Sequence, residues 1–304
     1  MQPSGPLQVL ELFSGVGGWR YALGDLGRVV AAFDISPAAN ATYALNHGDR
    51  PQARELGRVK VETLAALGAD TWLLSPPCQP FCRMGRHQGL EDRRSLAFLH
   101  LMDVLRQAPP RHLALENVEG FLGSDAHDLL ARRLEEGGFH RLDYRLCPSR
   151  FGLPNLRPRV FILASRNPLR PAPVPDVPPV AVGSLLDEVE DAALYLKPED
   201  LARHGPGLDL ASAGSLRTAC FIGGYGQRFV GSGSFLETAR GVRRFSPMEV
   251  ARLMGLPGSF RFPADLGLEQ RFRLLGNGLS QPVAQWALAQ LGAAARGDGP
   301  WAES

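Results

Sequence analysis

The chain has 304 residues, 44% of them apolar and 21% charged, with a net charge of +2 at neutral pH. Such a composition describes a soluble globular protein of one or two domains, and the charge is too small to announce a polyanionic partner by itself. It contains no run of 18 apolar residues to span a membrane, and MQPSGPLQVLELF lacks the basic flank and apolar stretch of a secretory leader, so no membrane association and a cytoplasmic location are expected.

In chain order, Leu7–Leu12 reads as a strand, and the glycine-rich turn after it opens a helix that should run through about Leu26. Val29–Asp34 is expected as a second strand and Pro37–Asn46 as a second helix. Further strands are expected at Thr71–Ser75, His112–Glu116 and Val160–Ala164, with helices over Ser95–Arg106 and Ala126–Glu136. Strands alternating with helices of this size imply βαβ units and a mostly parallel sheet, which makes the fold class α/β. The first domain covers residues 1–166. The run RNPLRPAPVPDVPPV can continue neither helix nor strand, because proline lacks a donor and fixes φ, and residues 167–180 are read as a linker. Residues 181–244 are rich in Gly and Ser with weak periodicity and form a small irregular domain. Helical patterning returns at Ser246–Met254, where Ser246-Pro247-x-Glu249 is a capped start. It persists, broken at Gly276-Asn277-Gly278, over a segment taken as residues 245–292, and residues 293–304 are expected to form a loose tail.

The four cysteines, Cys78, Cys82, Cys147 and Cys220, lack the paired spacing of a zinc site and are expected as reduced thiols with no metal. Lys60 and Lys197 are the only lysines among 33 basic residues. The arginine excess suits bidentate phosphate contacts, and GC-rich coding accounts for it equally well.

Three places carry chemistry. Glu11-Leu12-Phe13-Ser14-Gly15-Val16-Gly17-Gly18 joins the first strand to the first helix, where glycines let a ligand approach the backbone and the helix N-terminus favours negative groups. Asp34, at the end of the second strand, can bind both hydroxyls of a ribose. Together these indicate a nucleoside cofactor, and by themselves fit a dinucleotide as well as S-adenosylmethionine. Ser75-Pro76-Pro77-Cys78-Gln79-Pro80-Phe81 follows a strand, and its prolines present the Cys78 thiol on a rigid loop. Glu116-Asn117-Val118 ends the next strand at the same sheet edge, and Arg157-Pro158-Arg159 enters another.

In that order, Phe13-Ser14-Gly15-x-Gly17-Gly18, Pro77-Cys78-Gln79, Glu116-Asn117-Val118, Arg157-x-Arg159 and Gly276-Asn277 resemble the successive motifs of the cytosine-5 methyltransferase family, from about Val9 to Leu291. The resemblance implies an S-adenosylmethionine-binding Rossmann-like domain, a small target-recognition domain, and C-terminal helices that complete the first domain. Cytosine carbon 5 is a weak nucleophile until a thiolate adds at carbon 6, so the reaction needs a thiolate, a proton donor at N3 and positive charge near O2. Carried over, Cys78 would be the nucleophile and Glu116 the N3 donor, with Arg157 and Arg159 supporting the adduct. Phe13, Ser14, Gly15, Val16, Gly17 and Gly18 would hold the cofactor with Asp34, Ile35, Pro77 and Asn277. Glu55-Leu56 is the best match to the family's adenine-edge pair.

Two segments are similar to the branch of the family that methylates a transfer-RNA anticodon loop. One runs from Ser75 through Arg83, Arg86, Arg94 and His100, and the other is Cys220-Phe221-x-x-Gly224-Tyr225-Gly226. The chain departs from that branch at Cys82 and Ile222, where the branch carries Thr. By this likeness Arg83, Arg86, Arg94, Cys220, Phe221 and Tyr225 would meet the substrate, tRNA would be the partner, and no obligate protein partner is implied. A DNA cytosine-5 methyltransferase, of the kind paired with a restriction enzyme, is the alternative. A nucleotide-dependent oxidoreductase with Cys78 and Cys82 as a redox pair, or a catalytically silent RNA-binding relative, are further readings.

Overall fold

The computed structural model describes residues 5–77, 96–188 and 191–296, which form two compact units. The first takes residues up to Leu146, then Pro158–Pro173, then the chain from Ala284 onward; the second takes Cys147–Arg157 and Val174–Val283.

The first unit is built on six strands: β1 (Leu7–Leu12), β2 (Gly27–Phe33), β3 (Thr71–Leu74), β4 (His112–Val118), β5 (His140–Leu146) and β6 (Arg159–Ser165). Their order is β2-β1-β3-β4-β6-β5. The first four are mutually parallel, and β6 pairs antiparallel with both β4 and β5, so β6 alone is reversed. The expected mostly parallel α/β sheet is therefore present. Strands β1, β3, β4 and β6 are buried almost throughout, as their predominantly apolar sequences require of strands covered on both faces.

Among the described residues, five α-helices lie between these strands: α1 (Gly18–Leu23), α2 (Pro37–His47), α3 (Val61–Ala65), α4 (Leu96–Gln107) and α5 (Asp125–Glu136). α2 starts on Ser36, whose hydroxyl accepts from the Ala39 amide, with Pro37 in the first turn, and stops at Gly48 in the left-handed conformation. α5 starts likewise on Ser124. Leu10, Phe33, Leu74, Phe98, Leu115 and Phe121 centre the core.

The second unit has a small sheet ordered β7 (Asp209–Ala211), β8 (Ser234–Thr238), β9 (Gly241–Arg244), and helices α6 (Pro198–His204), α7 (Pro247–Leu253) and α8 (Leu268–Gly276). The expected capping box opens α7. The Ser246 hydroxyl accepts from the Glu249 amide while the Glu249 carboxylate accepts from the Ser246 amide. The same carboxylate is fully buried and takes a bidentate pair from Arg243 at 2.7 and 2.8 Å. This corrects the expected division: residues 147–157 and 245–283 belong with the second unit rather than with the first.

The last helix, α9 (Gln281–Arg296), runs past the expected end near Leu291. From Ala284 it completes the first unit, burying Ala284, Ala287, Leu288 and Leu291 at helical spacing. Trp286 packs edge-on against Tyr144 with ring centres 5.0 Å apart, and Asn167 Nδ2 donates to the Ala294 carbonyl. Gly292 lies so near Leu26 that an added Cβ would come within 3.1 Å of it.

Candidate active site

Parallel strands β1 and β3 are neighbours whose connections leave in opposite directions, and open α/β sheets bind ligands outside the carboxyl ends of such a pair. Phe13–Gly18 leaves β1 at this edge and Ser75–Pro77 leaves β3.

The turn after β1 is conformationally demanding. Phe13 has φ 57°, the only positive value among described non-glycine residues, and Gly15 and Gly17 stand at 54° and 84°. A bulky residue held there stores strain that the surroundings must impose, a frequent mark of ligand sites. Asp34 imposes part of it: one carboxylate oxygen accepts from the Gly15 amide at 2.8 Å and the other from Ser36 at 2.8 Å. Each oxygen keeps a lone pair for a further donor, such as a ribose hydroxyl. Ser14 is 5% exposed and its hydroxyl has no hydrogen-bond partner within the described structure, so a polar ligand group suits it. Ile35, beside Asp34, is 69% exposed, an apolar surface available to a flat ring. A nucleoside carrying an amino-acid end fits this donor set. The expected Glu55-Leu56 pair fits less well: Leu56 is 4% exposed within the core cluster, and exposed Glu55 pairs with Arg58 at 3.0 Å.

Behind the turn lies a polar network that the sequence reading missed. Glu11 is fully buried and accepts from the Tyr43 hydroxyl at 2.9 Å. Burial pushes its pKa up to about 8, against the opposing pull of Tyr43 and of the Arg20 and Trp19 main chain. Arg20 reaches the Tyr43 hydroxyl, the His47 carbonyl and the Asp49 carboxylate, the last at 2.7 Å. A carboxyl that stays protonated in the fold loses that advantage as pH rises from the ordinary 4.5 through 8, so this cluster favours neutral over alkaline conditions.

Cys78, Arg83, Arg86 and Arg94 lie outside the described residues, as does Cys82. The approach to Cys78 is described as far as Pro77. Trp19 Nε1 donates to the Ser75 hydroxyl at 3.0 Å, and Asn117 Nδ2 donates to the Pro76 carbonyl at 3.3 Å. Asn117 thus ties β4 to the thiol loop, a role its place in the Glu-Asn-Val motif does not reveal. Glu116 Oε1 lies 3.3 Å from Arg159 Nε, the two side chains only 10% and 16% exposed. These expected catalytic partners meet through the antiparallel β4–β6 register, which sets Val118 opposite Arg159.

Arg157 stands apart from Arg159. It is 3% exposed and belongs to the second unit, where Nη1 donates to the Phe221 carbonyl (3.0 Å) and Cys220 Sγ (3.5 Å). Nη2 donates to the carbonyls of Gly276 (2.9 Å) and Gly278 (2.8 Å). Gly276 lies against the Ile222–Gly223 main chain so closely that a Cβ would come within 2.1 Å of the Gly223 nitrogen. Arg157 therefore clamps the Cys220–Gly223 segment to the turn that carries exposed Asn277. Phe221 (1% exposed) and Tyr225 (0%) are core, not substrate-facing: their rings meet edge-on at 4.9 Å, and Tyr225 donates to the Ser234 carbonyl and accepts from the Phe245 amide. Cys220 is half-buried on the Arg157 clamp. Near Asn277, buried Ser280 Oγ and both amide atoms of Gln281 find no hydrogen-bond partner within the described structure, a signal for ligand or water that no motif announces.

A family profile described as C-5 cytosine-specific DNA methylase matches residues 7–195 and 215–293. A tRNA (cytosine(38)-C(5))-methyltransferase of Homo sapiens is 31% identical, covering 91% of this chain and 97% of its own. The protein of the same name from Schizosaccharomyces pombe is 32% identical, covering 94% and 96%. The crystal structure of an S. pombe Dnmt2 methyltransferase superposes with a TM-score of 0.84 at 29% identity, covering 95% of this chain and 98% of that one.

Proposed function

The chain belongs to the C-5 cytosine-specific DNA methylase family and methylates cytosine at carbon 5; on that premise we propose that its substrate is a transfer RNA and its methyl donor S-adenosylmethionine. The observation that carries the RNA assignment is that relatives named for tRNA cytosine methylation match this chain over more than nine-tenths of its length. The second unit is consistent with it. A three-stranded sheet with short strands offers few side chains for reading a DNA groove, whereas an anticodon-loop base is already partly unstacked and cheaper to flip.

When bound, S-adenosylmethionine supplies an electrophilic methyl group. The residues of the chain do the rest. Asp34 and the Gly15–Gly18 turn orient the donor, with Ser14 as a further polar contact. Cys78 adds to carbon 6 of the base, Glu116 gives a proton to N3, and Arg159, paired with Glu116, supplies the positive charge near O2. Loss of the carbon 5 proton then expels the thiolate and restores the ring. Arg157 fixes the Asn277 turn within the second unit.

Radiolabelled S-adenosylmethionine offered to total tRNA and to genomic DNA side by side should label the tRNA, and bisulfite sequencing should then find one modified cytosine in an anticodon loop. Labelling of duplex DNA at a short defined sequence, with tRNA unlabelled, would replace this assignment with the DNA enzyme. Asp34→Ala should weaken binding of S-adenosylhomocysteine by about 1–3 kcal/mol, the scale of losing hydrogen bonds to a charged group. Unchanged affinity by calorimetry would remove Asp34 from the cofactor site.

A further inference from the structure

We propose that His47 is a positioning residue for cofactor binding: its imidazole, packed on the Cα of Gly17, seats the glycine-rich turn in its ligand-ready shape. The proposal rests on the reading that this turn holds S-adenosylmethionine. Nothing in the motifs of the turn points to His47, which comes from the far end of α2.

The geometry is specific. Gly17 adopts φ 84°, and a Cβ there would fall 2.2 Å from His47 Nε2 and 2.6 Å from Cδ2. The ring therefore occupies the place of a side chain at Gly17, and the glycine's Cα–H faces a ring nitrogen that is buried and has no other hydrogen-bond partner. The imidazole is itself held by aromatic rings from two helices, Tyr21 of α1 at 4.4 Å and Tyr43 of α2 at 4.7 Å. Tyr43 is anchored to buried Glu11, and Arg20 spans the Tyr43 hydroxyl, the His47 carbonyl and Asp49. Fixing the ring thus fixes Gly17 between Ser14, whose carbonyl accepts from the Gly17 amide, and Tyr21, whose amide donates to the Gly17 carbonyl.

The seat works with a neutral ring. Burial foremost, and the nearby Arg20 charge, push the His47 pKa down to about 4, while the Val16 main chain and Asp49 pull it up less strongly. A neutral imidazole favoured by the fold loses that advantage as pH falls from the ordinary 6.5 through 4. The groups facing it are Tyr21 and Arg20 on α1, Tyr43 on α2, Asp49 beyond α2 and, through Tyr43, Glu11 on β1.

The test uses the full chain and S-adenosylhomocysteine, and compares His47→Ala and His47→Phe with Leu134→Ala, a core truncation in α5. Amide exchange at Gly15–Gly18 should accelerate in His47→Ala, and the dissociation constant should rise about tenfold, as when a turn holds its competent shape a tenth of the time. His47→Phe, which keeps a ring on Gly17, should bind within about twofold of wild type, the scatter tolerated for a conserved shape. Between pH 5 and 4 wild-type affinity should fall more steeply than that of His47→Phe, since the two proteins differ in no other titratable group. Leu134→Ala should lower the melting midpoint without changing exchange or affinity. Wild-type exchange and affinity in His47→Ala would overturn the proposal, as would an equal loss of affinity in Leu134→Ala. If His47→Ala does not fold, parallel pH profiles for wild type and His47→Phe would overturn it. Failure of the wild type itself to bind S-adenosylhomocysteine would instead overturn the cofactor reading on which it stands.

Discussion

Cys78→Ala should abolish methyl transfer, lowering turnover by about 10⁴-fold or more, as removal of a covalent nucleophile does. Affinity for S-adenosylhomocysteine should stay within about twofold, because the thiol attacks the base and the cofactor contacts belong to the Phe13–Gly18 turn and Asp34. The same thiol should form a lasting adduct with RNA carrying 5-fluorocytosine, whose carbon 5 has no proton to lose, and the variant should form none. The chain leading to Cys78 is fixed by Trp19 on Ser75 and Asn117 on Pro76, so the substitution leaves its support in place. Substantial turnover by the purified variant would end the covalent mechanism. Cys82→Thr should remain active, which separates the two thiols of the loop.

The second large effect is expected on stability. Arg157→Ala strips the donors from three main-chain carbonyls in the second unit, those of Phe221, Gly276 and Gly278. At roughly 1–3 kcal/mol for each buried acceptor left unpaired, and with some relief from entering water, the loss should come to about 3–5 kcal/mol. For a chain of this size that lowers the melting midpoint by roughly 10 °C. Arg157→Lys should recover only part of it, because one ammonium cannot bridge both sides of the clamp as a planar guanidinium does. Thermal unfolding of the three proteins decides the matter: a midpoint unchanged in Arg157→Ala would show that the clamp is dispensable. Arg159→Ala makes a useful contrast, since its partner is the Glu116 carboxylate rather than a main-chain carbonyl, and its main cost should fall on turnover.

That difference between two arginines of one short motif shows where a linear reading stops. Spacing and residue type make Arg157 and Arg159 equivalent, and only the fold sends one to main-chain carbonyls and the other to Glu116. Phe221 and Tyr225 are similar. Flanked by glycines, they look like a presented recognition loop, yet both rings are buried, and it is the later Gly233 whose missing Cβ leaves room for them. Strand β5 escaped notice because HRLDYRL has no apolar run, although Leu142, Tyr144 and Leu146 alternate with exposed Arg141, Asp143 and Arg145 as a half-covered edge strand should. By contrast β1, β3, β4 and β6 were legible because both faces are covered and their sequences are mostly apolar. Asp34 was legible too: a carboxylate at a strand end, in register with a glycine turn, is a local pattern, and the structure binds it to Gly15. His47 was not, since its relation to Gly17 exists only once α2 has folded back.

The discontinuity of the first unit also bears on how the protein is made. A ribosome delivers the six strands of the first unit by Ser165, and then must translate Val174–Val283 of the second unit before the first unit's part of α9 emerges. At ~5–20 residues per second that interval is on the order of ten seconds. Throughout it the nascent sheet exists without the helix that meets Leu26, Tyr144 and Asn167. The growing chain therefore carries an uncovered apolar face while its second unit is still being synthesised, a window in which a holdase chaperone has a substrate and a premature stop before Ala284 leaves a permanently unfinished fold.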